Sequence, residues 1–198
     1  MRVIAGKFRS RPLKSLKGFS VRPTSDRLRE TLFNVLADRV PDSRFVDAFA
    51  GTGAVGIEAL SRGAREVIFI ENHVPAIGLI RKNLQSLGIQ SGARVFALDA
   101  LRGLQRIAAN PSAAPSFVDI VFLDPPYAAA QDYRRVLGFL GTAPFLGLES
   151  LVIAEHRSSV PLLDSFGSLS RVRALHQGDA TLSFYRFASN NLQRAEES

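Results

Sequence analysis

Arg44-Phe45-Val46-Asp47-Ala48-Phe49-Ala50-Gly51-Thr52-Gly53-Ala54-Val55-Gly56 passes from an apolar run through a glycine-rich turn into a stretch of small residues. Residues 44–49 read as a buried strand, and 54–62 as the helix that follows it. Between them lies the pattern Gly-x-Gly-x-x-Gly. Glycines there let the backbone turn tightly and lie against a ligand, because no Cβ stands in the way. The alternation continues downstream, with strands expected at 66–71, 93–98, 118–123 and 150–155. Helices are expected at 74–87, 100–109 and 131–140. Such an order implies a parallel sheet covered on both faces. The end of the chain differs. Residues 171–176 and 181–187 flank Gln177-Gly178-Asp179 and read as an antiparallel hairpin. The expected fold is therefore α/β, a mostly parallel doubly wound sheet with an antiparallel last strand.

Upstream of this run the texture changes. Residues 2–16 carry Val3, Ile4, Phe8, Leu13 and Leu16 between basic residues, with Gly6 and Pro12 as punctuation. A β-hairpin or paired extended segments are expected there. Thr24 is a good N-cap, and Asp26 suits the first turn of a helix running to about Asp38. Residues 1–40 thus read as a small N-terminal extension and 41–187 as the main domain. The polar stretch 188–198 is expected to be disordered.

Charge is concentrated in that extension. Residues 1–29 hold nine Lys/Arg against the single acid Asp26, a net of +8, whereas the whole chain of 198 residues is +7. The remainder is close to neutral. A basic arm of this kind reads as a polyanion contact, and Arg9, Arg11, Lys14, Arg22, Arg27 and Arg29 are the candidates for phosphates. Arg27 and Arg29 could instead pair with Asp26 or Glu30 on their own helix. The chain has no cysteine. That rules out disulfides and Cys-based zinc sites and makes a reducing cytoplasm the expected location. His73, His156 and His176 are scattered without ligand spacing, so no metal is expected. No apolar run approaches the ~20 residues of a membrane span, and no signal peptide is expected.

Three acids stand at the expected strand ends. Glu71 lies 20 residues after Gly51, where a carboxylate can accept both ribose hydroxyls of an adenosine. The glycine loop and Glu71 suit a nicotinamide dinucleotide or S-adenosylmethionine equally. Asp47 favours the second. At the end of the first strand it can face an ammonium group, whereas a pyrophosphate would be repelled. Asp99 and the N–H of Ala100 can meet the adenine N6 amine and N1. Each has a plainer reading, Asp47 as a turn residue and Asp99 as an N-cap.

Asp124-Pro125-Pro126-Tyr127 follows the fourth strand. Two prolines remove two N–H donors and fix two φ angles, leaving carbonyls that can only accept. An acceptor-lined notch beside an aromatic ring suits a planar group bearing an NH2. This is the signature of methyltransferases acting on exocyclic amines of nucleobases.

With Arg22-Pro23-Thr24-Ser25-Asp26-Arg27-Leu28-Arg29-Glu30-Thr31-Leu32-Phe33-Asn34, with Phe49 to Ala64 and with Leu123 to Tyr127, the chain resembles the RsmD-type 16S rRNA guanine-N2 methyltransferases of bacteria. The resemblance runs from about residue 2 to 187. It implies a Rossmann-like class I methyltransferase fold using S-adenosylmethionine, released as S-adenosylhomocysteine. Asp47, Phe49, Ala50, Gly51, Thr52, Gly53, Glu71, Asn72, Asp99 and Ala100 would hold the donor. Asp124, Pro125 and Pro126 would hold the target amine, and Tyr127 would stack on the base. The expected partner is 16S rRNA, within a small-subunit particle, met by a monomeric enzyme.

Three rivals remain at this stage. Another amino-methyltransferase, acting on DNA adenine N6 or a different RNA guanine, would share the notch. Little length is left, however, for a separate DNA reader. A nicotinamide oxidoreductase would explain the glycine loop but neither Asp124-Pro125-Pro126-Tyr127 nor the basic arm. A non-catalytic RNA-binding assembly factor would leave the motif set unexplained.

Overall fold

A computed structural model describes residues 1–15, 26–109, 117–126 and 130–187. The candidates Arg22 and Tyr127, the cap Thr24 and the tail 188–198 lie outside the described residues.

Eight strands form one sheet: β1 (Arg44–Asp47), β2 (Glu66–Glu71), β3 (Ala93–Ala97), β4 (Val118–Leu123), β5 (Leu146–Arg157), β6 (Ser165–Phe166), β7 (Leu169–Gln177) and β8 (Ala180–Phe187). Their order is β3-β2-β1-β4-β5-β8-β7-β6. The first five are parallel, and β8 lies antiparallel to β5. The antiparallel part is larger than a single last strand. The β7–β8 hairpin, tightened at Gly178, brings β7 and the two-residue β6 to the sheet's far edge. The helices are α1 (Asp26–Val35), α2 (Ala54–Ser61), α3 (Val74–Ser86), α4 (Ala100–Ala109) and α5 (Ala130–Leu140).

Alternation along the strands sorts side chains to two cores. Phe45, Val67, Phe69, Ile120, Phe122 and Ile153 face one side, where α1, α2 and α3 supply Leu32, Phe33, Ile57 and Ile80. Val46, Ile68, Ile70, Val121, Leu123 and Val152 face the other, against α4 and α5. Burial of both faces is why these strands read as continuous apolar runs rather than as alternating ones.

The N-terminal segment is built into the first core. Val3 and Leu13 are buried with α1 and α2. Its own pairing is slight: Arg2 and Pro12 form an isolated antiparallel bridge, with Val3 N–H donating to the Arg11 carbonyl at 3.0 Å. Hydrogen bonds to Glu58 and Ser61 bolt it to α2. The Ile4 and Ala5 N–H groups donate to the two oxygens of Glu58, at 2.7 and 2.9 Å. Gly6 (φ +79°) crosses so close to the end of α2 that a Cβ there would lie 1.9 Å from the Ser61 carbonyl oxygen. His156 is a core histidine, its Nε2 2.9 Å from the Ser183 hydroxyl, and burial lowers its pKa.

Candidate functional site

β1 and β4 are neighbours, yet their following helices cross to opposite faces of the sheet. That reversal opens a crevice at the carboxyl ends of the two strands, the place where open α/β sheets bind ligands. Asp47 pairs in register with Phe122, so Asp124 stands at the same edge, just past the end of β4.

The chain leaves β1 as a loop at Asp47, earlier than residue 49. The Gly53 N–H closes a turn on the Ala50 carbonyl at 2.7 Å, and Gly53 starts α2 at φ 78°. A Cβ added at Gly51 would meet nothing within 4 Å, so the loop opens onto free space there. Asp47 is buried and its Oδ2 accepts the Gly56 N–H at 2.9 Å. Gly56 is a packing glycine, because a Cβ would come within 2.3 Å of the Phe69 ring. Glu71 braces the same loop from β2. Its Oε2 accepts the Gly51 N–H at 2.8 Å, and its Oε1 accepts Asn72 and His73 N–H at 2.9 and 2.8 Å.

These carboxylates crowd one another. Burial pushes the Asp47 carboxyl up to about 7. The Gly56 N–H opposes this, and the charges of Asp124 and Glu71 add to it. A cationic group placed among the three would reverse that balance.

Beside the loop, on the α4–α5 side, is a cavity of about 430 Å³, within the usual range for small-molecule sites. Phe49, Glu71, Asn72, Asp99 and Ala100 line it, as the sequence predicts, with Ile70, Leu98 and Leu101 giving an apolar wall. Asp99 also caps α4, its Oδ1 accepting the Arg102 N–H at 3.0 Å, which is the plainer reading of this residue. Sequence reasoning missed Arg102 and Gln105 on α4, and Asp132, Arg135 and Val136 on α5. The helical spacings i, i+3 and i+4 of those groups were the available signal, since they put each set on one face. Asp47, Ala50, Gly51, Thr52 and Gly53 stand next to this cavity rather than in its lining. Thr52 turns its hydroxyl toward Met1 of the N-terminal segment, and its carbonyl accepts from Asn83 of α3 at 3.1 Å.

The chain leaves β4 through half-buried Asp124, buried Pro125 and exposed Pro126. Asp124 and the two prolines therefore stand at the switch point, at the same strand ends as the glycine loop.

The arginine candidates divide. Arg9, Arg11, Lys14 and Arg27 are exposed. Arg29 is not, and its assignment to phosphate is corrected here. Its side chain is fully buried, donating from Nη2 to the Arg2 carbonyl at 2.5 Å and to Asp26 at 3.1 Å. Its Nε lies 3.9 Å from Glu58. Burial lowers its pKa, while Asp26 and Glu58 oppose that shift. Arg29 is a pin between α1, α2 and the N-terminal segment. Among the described residues no helix is long and apolar enough to cross a membrane.

Comparison with known proteins bears on the family and the fold. The family model described as Conserved hypothetical protein 95 matches residues 1–186. Ribosomal RNA small subunit methyltransferase D of Haemophilus influenzae is 43% identical over 164 residues, 82% of each chain. A solved hypothetical protein of Thermus thermophilus is 31% identical, covering 93% of this chain and 98% of that one, with TM-score 0.78. A methyltransferase structure complexed with S-adenosylhomocysteine shares the fold alone, at 12% identity and TM-score 0.64, over 80% of this chain and 49% of that one.

Proposed function

The chain belongs to the family described as Conserved hypothetical protein 95, and from that premise we propose that it methylates the exocyclic N2 of a guanine in 16S rRNA, using S-adenosylmethionine. The observation that carries the reading is the convergence of Asp47, the Gly51 loop, Glu71 and Asp124-Pro125 at one topological switch point. The small-subunit RNA enters from the name of the Haemophilus influenzae relative.

The residues present fit the donor. Open space at Gly51 admits an extended ligand against the loop, and the cavity lined by Glu71, Asp99 and Ala100 has the size and polarity for an adenosine. Glu71 would accept the ribose hydroxyls with its remaining lone pairs, Asp99 the adenine amine, and Asp47 would face the ammonium. Phe49 and Asn72 would form the cavity's edge, and Ala50, Thr52 and Gly53 would hold the loop's shape. S-adenosylmethionine supplies an electrophilic methyl on a sulfonium.

The guanine N2 lone pair is delocalised into the ring, which makes it a poor nucleophile. Asp124 and the Pro125 carbonyl would accept its two N–H bonds, drawing the lone pair back onto nitrogen and fixing its direction. Positive charge develops on N2 as the new bond forms, and the Asp124 carboxylate is placed to favour it. Asp124 or water then takes the proton that N2 sheds. Pro126 keeps the notch rigid. Tyr127 would stack on the unstacked base, worth ~1–3 kcal/mol. The reaction would take place in the cytoplasm on a small-subunit particle, with the enzyme as a monomer.

The test is transfer of label from S-adenosylmethionine to three substrates: small ribosomal subunits lacking the modification, naked 16S rRNA and duplex DNA. Label in RNA and none in DNA supports the reading. Label in DNA moves the activity to adenine. Absence of label from all three, with donor bound, contradicts it.

A further inference from the structure

The two longest stretches of this chain without an acid are residues 1–25, which end before Asp26, and residues 72–98, between Glu71 and Asp99. Folding puts them in contact. The buried Asn83 of α3 accepts the Lys14 N–H at 2.9 Å and donates to the Lys14 carbonyl at 3.2 Å. Its amide donates also to the Thr52 carbonyl at 3.1 Å, so the same side chain ties the junction to the glycine loop. Arg11 donates to the Ser86 carbonyl at the end of α3, at 3.3 Å.

Both segments carry exposed cations. Arg9, Arg11 and Lys14 on the arm and Arg81 and Lys82 on α3 are exposed, and none forms an ion pair among the described residues. On the opposite face of the sheet two of the cations sit beside acids, although Arg134 on α5 is exposed and forms no ion pair among the described residues. There Arg102 lies 3.4 Å from Asp99 and Arg135 lies 3.7 Å from Asp132. Like charges gathered without acids repel one another, an arrangement that suits a polyanion. A protein partner would want apolar anchors at the centre of the patch. None of the large exposed apolar side chains falls within residues 1–15 or 81–86.

We propose that the arm and α3 form a single phosphate-binding track leading to the glycine loop, on which Arg81 and Lys82 take RNA phosphates beside Arg9, Arg11 and Lys14. The track rests on the reading of RNA as substrate. It adds to the basic arm a helix whose role was not legible in the charge count.

The experiment measures binding of a labelled 16S rRNA fragment across a salt series. It compares the wild type with an Arg81→Ala/Lys82→Ala variant and an Arg65→Ala/Arg173→Ala control, whose residues are exposed elsewhere. Two lost phosphate contacts should make the slope of log K against log[salt] shallower by about 1.4 to 1.8. The control should change it by less than half as much, and thermal midpoint and donor affinity of the α3 variant should match the wild type. An unchanged slope overturns the track, and so does an equal change in the control, which would report net charge alone. A variant that binds RNA normally but loses binding to polyglutamate also overturns it, in favour of an acidic protein. If the wild type methylates RNA while the α3 variant keeps the full slope, the track fails and the proposed function stands. If the slope falls as expected while the wild type methylates nothing, the track stands and the proposed function fails.

Discussion

At the carboxyl ends of β1, β2 and β4, Asp47, Glu71 and Asp124 crowd together, and the bonds to Asp47 and Glu71 come from backbone N–H groups. Along the arm and α3 the reverse holds, with exposed cations and no acid among them. Where a cation is buried, as at Arg29, acids are supplied: Asp26 at 3.1 Å and Glu58 at 3.9 Å. In this molecule opposite charges paired across segments hold the fold together, whereas the two proposed binding regions each gather charge of one sign.

The largest effect should come from breaking the paired set. Glu58→Ala leaves Arg29 buried with Asp26 as its only acidic partner and releases the Ile4 and Ala5 N–H groups. It should cost about 3–5 kcal/mol in urea unfolding and expose the arm to trypsin at Arg9 and Arg11. A loss under ~1 kcal/mol would contradict the pin.

The acids at the strand ends should act on chemistry instead. Asp124→Ala should lower kcat by about 10² to 10³-fold. Donor affinity by calorimetry should stay within about threefold, or ~0.7 kcal/mol. Unimpaired turnover would remove Asp124 from the mechanism.

Asp47 offers a sharper probe, through pH. Its carboxyl is pushed from an ordinary 3.8 to about 7 by burial, so the folded protein holds this proton more tightly than the unfolded chain does. Its contribution is present in full at low pH and is lost as pH rises toward about 7, with a slope approaching about 1.4 kcal/mol per pH unit. Asp47→Asn keeps an acceptor for Gly56 and cannot titrate. Urea midpoints at pH 5 and pH 7 should therefore converge in the variant. An equal pH dependence in both proteins would place the titrating group elsewhere.

The smallest effects belong to single arm cations. Arg9→Ala and Arg27→Ala should each make the salt slope of RNA binding shallower by about 0.7 to 0.9 without moving the thermal midpoint. Arg29→Ala should do the opposite, lowering the midpoint, because its guanidinium is spent inside the protein.

Much of this was readable beforehand, for reasons that lie in particular residues. The parallel strands were legible because both faces are buried, which writes Val118 to Leu123 and Glu66 to Glu71 as apolar runs. The end of β4 just before Asp124 was legible because two prolines cannot continue a central strand. The two-residue β6 and the start of β5 at Leu146 were not, since they follow from pairing rather than from local pattern. Arg29 looked like its basic neighbours. Only a contact across 27 residues to Arg2, and the nearby Glu58, separates it from them. The Asp26 partner, three residues away, was the one visible hint. The rim at Arg102 and Arg135 escaped because two helices must meet before it exists.

The most direct test is to digest small-subunit RNA, methylated by this protein with labelled S-adenosylmethionine, to nucleosides and find where the label sits. The account predicts label in N2-methylguanosine alone. Label in any other nucleoside would contradict the assignment of the notch at Asp124-Pro125 to the guanine amine.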